Sequence, residues 1–373
     1  MHSVLIFISG AFVASFIGLV VTIVFEERSK QLYRRLRRLL LRLKSRFQDE
    51  ETFPNRELFQ IGKWRTNGMV IVGTCKEPFK HEDLICHLDE ASLQLPTDLQ
   101  LLKLEVVREQ NEVKATKGLP AFFNGPMVAF IDYHHSNKVG WEEPLLFLRF
   151  KMTDYYTFLA TAMSLNKLVP HNGSSITLRD KYLRGVDLRI PKPYFATSFC
   201  VDLAVVTKDN YLVLSKRSEL AMSYKGCYAV AVLETVNPYK DRNEKGELDV
   251  FKTAQRGAQE EVGIDVNMNE IRFFSLHVDT SLYLYGLTGA IFSEQFTRDD
   301  VIARRSVGIK DKWESRELYY VDFKPEKVVK TLGEIGGINH INPSSFTSIV
   351  QALIHEHGAS AVEKAFARIA PYG

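Results

Sequence analysis

Arg256, Glu260 and Glu261 are the side chains whose types and spacing best suit chemistry in this sequence. Residues three or four positions apart lie side by side on a helix, so both glutamates would share a face with position 257. Paired carboxylates on one face can hold a hard divalent cation. The alternative is an i,i+4 salt bridge between Arg256 and Glu260 on a solvated helix face.

The residues around this group predict the elements that hold it. A buried strand over Tyr228–Leu233 runs into Glu234 and then into a polar insertion, Asn237–Glu247. Asp249 is placed to cap a helix that Gly263 ends. The predicted inner face of that helix consists of Phe251, Ala254, Ala258 and Val262.

The run Arg256–Ile264 resembles the second half of the Nudix box, which reads Arg-Glu-apolar-any-Glu-Glu-any-Gly-apolar. The arginine, the first apolar residue, the paired glutamates, the glycine and the last apolar residue all match. Gly257 departs from the pattern, because active members usually carry Glu there. The loop half is irregular too, since Glu247 lies nine residues before Arg256 instead of eight, and Glu234 is the alternative loop ligand.

The resemblance covers roughly residues 196 to 325 and implies an αβα sandwich that uses Mg²⁺. It implies catalytic roles for Glu260, Glu261 and Arg256, metal contacts for Glu234, Glu247, Glu260, Glu261 and Glu314, and ligand contacts for Gly257, Lys216, Arg217 and Trp313. Core packing is the alternative for Trp313. A glycine inside a helix costs about 1 kcal/mol relative to alanine, so Gly257 indicates close approach of a ligand or a backbone, or drift in a site that no longer hydrolyses.

Outside this region the patterns predict short strands and a few helices. The strands are Met69–Gly73, Leu101–Val107, Met127–Ile131 and Leu145–Phe150, with a hairpin over Val201–Thr207 and Tyr211–Ser215. The helices are Asp154–Leu165, Ser345–His355 and Ala359–Ile369. We therefore expect an α+β protein with a β-rich α+β module at 56–195 and a Nudix-like domain with C-terminal helices at 196–373.

The composition is that of a globular protein, with 45% hydrophobic and 25% charged residues. These values exclude a disordered, collagen-like or multi-span membrane chain. The charge is uneven, because residues 28 to 46 hold nine of the 48 basic residues and no acid. Its position directly after an apolar segment explains this charge, so we expect neither DNA nor RNA as a partner.

That apolar segment, Ser3–Phe25, contains 23 residues without a charge. As a helix it is about 35 Å long, enough to cross a bilayer. The basic residues after it predict a single-pass protein of the bacterial inner membrane with a cytoplasmic body; a cleaved signal peptide is the alternative. Gly10, Ala14 and Gly18 form a small-residue stripe that favours self-association, although small residues are also common in spans.

These features divide the chain into an anchor at 1–27, a basic amphipathic helix and linker at 28–55, and the two modules that follow. The basic helix is expected to lie on anionic lipid or to form a stalk between subunits. A span joined to a Nudix-like domain resembles the transmembrane-Nudix effectors of CBASS-type anti-phage signalling. That resemblance implies a homo-oligomeric effector whose Nudix-like domain binds a cyclic nucleotide or another nucleotide and disrupts the membrane.

Two further hypotheses remain open at this point. The first is a membrane-tethered, Mg²⁺-dependent Nudix hydrolase of nucleoside diphosphate derivatives. The second is a scaffold in which the Nudix fold survives only as packing.

Overall fold

The computed structural model of the 373-residue chain describes residues 58–118, 121–137, 144–171, 173–219, 221–308 and 315–369. All of these lie in one compact unit, Asn55–Gly373. No helix within the described ranges is long and apolar enough to cross a membrane. The predicted span, its Gly10, Ala14 and Gly18 stripe and the basic segment after it lie outside the described residues.

The first half of the described chain contains eight strands and three helices. The strands are β1 (Gln60–Ile61), β2 (Trp64–Arg65), β3 (Gly68–Gly73), β4 (Leu84–Ser92), β5 (Pro126–Asn137), β6 (Pro144–Asp154), β7 (Leu168–His171) and β8 (Ser174–Thr177). The helices are α1 (Thr97–Lys117), α2 (Tyr155–Ala160) and α3 (Leu178–Tyr182), with 3-10 turns at His81–Asp83 and Ala162–Ser164. Strands β4, β6 and β5 form a three-stranded sheet in that order.

The second half contains seven strands and five helices. The strands are β9 (Phe199–Val206), β10 (Tyr211–Arg217), β11 (Tyr228–Val230), β12 (Val232–Thr235), β13 (Ile271–Asp279), β14 (Leu284–Phe292) and β15 (Ser315–Asp322). The helices are α4 (Val250–Gly257), α5 (Arg298–Val307), α6 (Pro325–Glu334), α7 (Pro343–His357) and α8 (Ala359–Ala367). A π-helical turn, Ala258–Val262, continues α4, and 3-10 turns cover Met268–Glu270 and Gly337–His340.

The central sheet of the described chain has the strand order β11-β10-β9-β14-β13-β3, with β12 also on β9 and β15 also on β10. Strands β14 and β9 are parallel. Two neighbouring residues of β13 show that helices cover both faces of the sheet. Phe273 contacts Phe251 of α4 at a ring-centroid distance of 4.9 Å, whereas Phe274 contacts His355 of α7 at 5.3 Å. Strand β13 has a bulge between Phe273 and Ser275, and Phe274 belongs to the core cluster beneath α7 whereas Phe273 packs on α4. Helices α4 and α7 therefore lie on opposite sides of the sheet. The predicted α+β class is confirmed.

One hydrophobic core of the described residues lies between the sheet and helices α6, α7 and α8. Phe346 of α7 stacks on Trp64 at 6.0 Å, and Phe366 of α8 meets both rings edge-on. Ala204 and Val206 of β9 face the same cluster. A few large aromatic side chains that bury most of their surface provide much of the stabilisation of such a core.

The part of the chain before residue 196 is joined to the part after it. Strand β3 pairs antiparallel with β13, so an early strand extends the central sheet. In addition, the backbone N–H of Phe130 donates to the carbonyl of Ala196 at 2.7 Å. The boundary between residues 195 and 196 stays a prediction.

The predicted strand Leu101–Val107 is wrong, because these residues belong to helix α1. Leu99 and Leu102 are buried while Leu101 and Leu104 are exposed, which is the three-residue spacing of a helix face and not the alternation of a strand. The helix ends at Gly118 with a φ of 80°.

The predicted strand Tyr228–Leu233 is divided into β11 and β12, which pair with different neighbours, β10 and β9. The predicted helix Asp154–Leu165 consists of α2 and a separate 3-10 turn. The remaining predicted strands and helices are present, with shifted ends.

Candidate functional site

Helix α4 and the π-helical turn after it hold the candidate residues, and the local sequence explains where this segment begins and ends. Asp249 is the N-cap, and its side chain accepts a hydrogen bond from the backbone N–H of Phe251 at 2.8 Å. Gly263 ends the turn in the left-handed conformation, with a φ of 85°. Both predictions are confirmed. The predicted inner face is also confirmed, since Phe251, Ala254, Ala258 and Val262 are all buried.

Arg256 is the centre of a network of three carboxylates. Its Nη1 lies 2.8 Å from Oε1 of Glu234 and 3.4 Å from Oε2 of Glu260. Its Nε and Nη2 each lie 2.7 Å from one oxygen of Asp241, which is a bidentate pair. The guanidinium side chain is only 14% exposed. A buried arginine with this set of partners orders the acidic groups around it.

Asp241 is the member of this network that the sequence did not indicate. Its side chain is fully buried, and besides Arg256 it accepts from the backbone N–H of Asn237 at 2.8 Å and from Oγ1 of Thr253 at 2.9 Å. Asp241 therefore fastens the polar insertion to helix α4. It lies inside a run of charged and polar residues, where nothing in the spacing distinguishes it from its neighbours.

Glu260 and Glu261 have different environments, although they are adjacent in the sequence. Glu260 lies between two cations, because its Oε1 is 3.9 Å from Nζ of Lys240 and its Oε2 faces Arg256. The i,i+4 pair with Arg256 that the sequence offered as the structural alternative is thus present. Glu261 is buried, and its Oε1 accepts a hydrogen bond from the backbone N–H of Leu233 at 2.9 Å. Each carboxylate is engaged within the protein.

Gly257 is explained by the packing of α4 against strand β12. A Cβ atom at this position would lie 2.7 Å from Cγ1 of Val232 and 2.8 Å from Cβ of Glu234. These distances are shorter than atomic contacts allow, so the helix approaches the strand closely only because residue 257 has no side chain. The close approach expected from the sequence exists, and the neighbours are side chains of a strand.

Burial changes the protonation of Glu234. It raises the pKa of this carboxyl to about 7, and the nearby Arg256 counteracts part of that rise. The side chain of Glu234 is 16% exposed, so this carboxyl is partly accessible to solvent.

The remaining predicted site residues lie apart from this network or outside the described part. Glu247 is exposed, and its Oε2 accepts from Nδ2 of Asn243 at 3.1 Å. The ammonium of Lys216 lies 5.5 Å from the ring centroid of Tyr228, and Nε of Arg217 donates to the carbonyl of Ser223 at 3.1 Å. Trp313 and Glu314 lie outside the described residues.

Helix α5 adds two arginines at the end of the π-helical turn. Nη1 of Arg305 donates to the backbone carbonyl of Glu261 at 2.7 Å, and Nη1 of Arg304 lies 3.4 Å from the carbonyl of Gly263. Cations stabilise the carbonyl end of a helix, where the partial charge is negative. These contacts, which the sequence did not indicate, fix the segment that carries both glutamates.

The described residues of this network do not suit a magnesium site. Among them, no group of three His, Cys, Asp or Glu side chains is arranged to hold a metal ion. Hard divalent cations prefer several oxygen ligands, whereas these carboxylates face Arg256, Lys240 and a backbone N–H. Magnesium stays a prediction of the family resemblance, and Glu314 lies outside the residues tested.

Comparison with known proteins gives partial structural likenesses, among them two crystal structures. No family model and no curated protein matches the chain. A crystal structure of DR0079 from Deinococcus radiodurans is 14% identical and matches 45% of this chain and 87% of its own, with a TM-score of 0.25. A crystal structure of a MutT/nudix family protein from Enterococcus faecalis is 10% identical and matches 46% of this chain and 79% of its own, with a TM-score of 0.24. Similarity at this level assigns no activity to the chain.

Proposed function

We propose that this chain is a membrane-anchored effector of bacterial antiviral defence. Its Nudix-like domain binds a nucleotide signal, and cyclic nucleotides are the first candidates. The motif Arg256–Ile264 supports a Nudix-like origin of the domain. The uncharged segment Ser3–Phe25 and the basic residues after it support an anchor in the inner membrane with the body in the cytoplasm. A soluble metabolic hydrolase needs no membrane anchor.

The observation that carries the proposal is the way Arg256 engages the acidic groups. Metal-assisted hydrolysis requires carboxylates that are available to a cation. Here one guanidinium, that of Arg256, is surrounded by the carboxylates of Glu234, Asp241 and Glu260. In addition, Val232 packs so closely against Gly257 that there is no room for the glutamate that the family pattern has at this position. These contacts favour recognition of a ligand over its hydrolysis, which supports a receptor role for the domain.

Signal transmission follows from differential binding. A ligand shifts an assembly only if it binds two assembly states with different affinity. We propose that nucleotide binding favours a homo-oligomer in which the spans, associated through Gly10, Ala14 and Gly18, reorganise and make the membrane leak. The basic helix after the span lies on anionic lipid in this scheme.

The proposal is tested with the full-length protein in detergent and then in vesicles. Calorimetry against a panel of cyclic di- and trinucleotides measures binding, and chromatography of the same samples with Mg²⁺ measures turnover. We expect binding without product, and dye leakage from vesicles when the bound nucleotide is added. Failure of every nucleotide in the panel to bind contradicts the proposal. Turnover that Glu261→Gln abolishes would instead support the tethered hydrolase.

A further inference from the structure

Phe123 is the most exposed aromatic side chain of the described residues, with 81% of its surface accessible. It lies in the connection between helix α1 and strand β5. Single exposed apolar side chains are common on protein surfaces and need no function. Phe123 differs from such residues because the backbone on both sides of it is held in place.

Three hydrogen bonds fix the neighbours of Phe123. The backbone N–H of Phe122 donates to Oε1 of Gln110 at 3.0 Å, and its carbonyl accepts from the hydroxyl of Tyr156 at 3.0 Å. On the other side, Oδ1 of Asn124 accepts from the backbone N–H of Tyr156 at 2.8 Å. The ordering of this backbone is therefore complete before anything covers the phenyl ring, which favours binding through it.

Two exposed lysines lie at the same end of α1. Lys114 and Lys117 follow Gln110 by four and seven residues, so each is within about 40° of it around the helix. Glu109 and Glu112 lie about 100° and about 160° away from Gln110. Residues 113 to 131 contain no Asp or Glu. The surface beside Phe123 is therefore locally positive.

Further aromatic side chains surround the exposed ring. Phe122, Tyr155 and Tyr156 are partly exposed, and the rings of Phe122 and Tyr155 are 5.9 Å apart. Tyrosine has an apolar ring and a polar hydroxyl, and it is enriched where a protein meets the boundary between lipid and water. Apolar side chains that enter the acyl boundary and cations that face anionic headgroups are the two contributions to binding at a membrane surface.

The shape of this surface favours a bilayer over a pocket of another protein. A protein interface requires a cavity that matches the ring and good shape complementarity over a defined area. A projecting phenyl ring flanked by lysines needs only an apolar layer beneath a layer of anions. An anionic bilayer offers that arrangement at every point of its surface.

We propose that the α1–β5 tip, which consists of Lys114, Lys117 and residues 121–124, docks on an anionic lipid surface. Phe123 enters the acyl boundary, and the two lysines lie at the headgroup phosphates. This inference rests on the membrane anchor of the proposed function and adds a second point of contact with the bilayer. The 32 residues from 26 to 57 are at most about 110 Å long when extended, a length that lets the tip reach the membrane.

The test uses the full-length protein in vesicles of phosphatidylcholine and phosphatidylglycerol that contain brominated lipid, which quenches tryptophan fluorescence at contact. Phe123→Trp places the probe at the tip. Tyr239→Trp is the matched control, because Tyr239 is a 64% exposed aromatic residue of the polar insertion. The wild type gives the background of the three native tryptophans. We expect the added tryptophan of Phe123→Trp to lose most of its fluorescence and that of the control to keep it.

The role of the lysines is tested in the Phe123→Trp protein. Adding Lys114→Gln/Lys117→Gln is expected to shift the equilibrium between docked and free tip about thirtyfold towards the free state. Quenching should then fall in vesicles with phosphatidylglycerol and change little in phosphatidylcholine alone. Lys327→Gln/Lys330→Gln, which removes two exposed lysines of α6, is the matched control and should leave quenching unchanged.

The outcomes separate this inference from the anchor. If the protein floats with vesicles but the tryptophan at position 123 is quenched no more than the control, the tip assignment is overturned and the anchor stands. If the protein does not float with vesicles, both fail. A probe that is shielded from iodide in the water but is not quenched by brominated lipid is covered by protein, which also overturns the lipid assignment. Equal quenching with and without the two lysines would overturn their role.

Discussion

Arg256 binds both carboxylate oxygens of Asp241, with each nitrogen-to-oxygen distance at 2.7 Å, in a position where the aspartate side chain is fully buried. This pair joins the motif helix to the polar insertion before it. The same guanidinium reaches Glu234 on strand β12. One arginine therefore connects three elements around the candidate site, and most of the testable consequences follow from it.

Removal of Arg256 should destabilise the protein strongly. In Arg256→Ala the carboxylate of Asp241 stays buried without its cation, and breaking a buried pair in this way costs about 3 to 5 kcal/mol. We expect a marked fall in the midpoint of thermal unfolding, measured by circular dichroism. Arg184→Ala is the control, because Arg184 is 64% exposed and lies 3.3 Å from Asp180, so its loss costs at most about 1 kcal/mol. Equal shifts in the two variants would contradict a structural role for Arg256.

Gly257→Ala should destabilise the protein although alanine favours helices. The gain in helix propensity is about 1 kcal/mol, whereas forcing a methyl group into a closely packed site costs about 1 to 3 kcal/mol. In a Val232→Ala background, which lacks one of the two close contacts, Gly257→Ala should cost less stability than in the wild type. Thermal unfolding checks this, with Gly125→Ala as the control, since its nearest neighbour would be 3.7 Å away. A more stable Gly257→Ala protein would show that the strand does not restrict this position.

The motif helix could be predicted from the sequence because its signals are local. Asp249, Gly263 and the apolar spacing between them fix the two ends and the buried face through contacts within a few residues. Helix α1 was mistaken for a strand because several β-branched and leucine residues fall in one stretch. The burial of Leu99 and Leu102, which decides the periodicity, becomes apparent only in the folded chain.

The candidate site was predictable only in part. The residue types at Arg256, Glu260 and Glu261 were found, but the pairing that determines their chemistry depends on Asp241 and Glu234, which the fold brings to them from other elements. A cavity lined by Lys76–Asp83 and Met268–Arg272 was not predictable either, because these segments are almost 200 residues apart in the sequence. Such long-range pairings leave no periodic signal in a single sequence.

A buried carboxyl makes the stability of the protein depend on pH. Burial raises the pKa of Asp202 to about 7, although Ser344 donates a hydrogen bond to it at 2.9 Å. Because the folded state binds this proton more tightly than the unfolded state, the stability that Asp202 contributes is complete below about pH 4 and is lost as the pH rises through 7.

Asp202→Asn should remove that dependence, because asparagine accepts the same hydrogen bond and does not ionise. We expect the unfolding midpoint of the wild type to fall relative to that of the variant between pH 4 and pH 8. Other buried groups also titrate, such as His277, whose pKa is lowered to about 3 by burial. They are the same in both proteins, so the difference between the two unfolding midpoints reports on Asp202 alone. A difference that stays constant across this range would contradict a buried, protonated Asp202.

Nucleotide binding should not depend on a divalent cation. The carboxylates near the motif helix already face Arg256, Lys240 and the backbone N–H of Leu233, so no bridging ion is needed to neutralise them. We expect the dissociation constant to agree within about twofold when calorimetry is performed with EDTA and with millimolar Mg²⁺. A tenfold gain in affinity with Mg²⁺, equivalent to about 1.4 kcal/mol, would indicate a metal bridge between protein and phosphate.

The most direct test of the receptor function measures binding and turnover in the same sample. Full-length protein is incubated with the cyclic nucleotide panel and Mg²⁺, calorimetry gives the affinity, and chromatography after the titration gives the products. The account predicts saturable binding with the nucleotide recovered intact. Hydrolysis that stops in Glu261→Gln, or the absence of binding to every nucleotide, would contradict it.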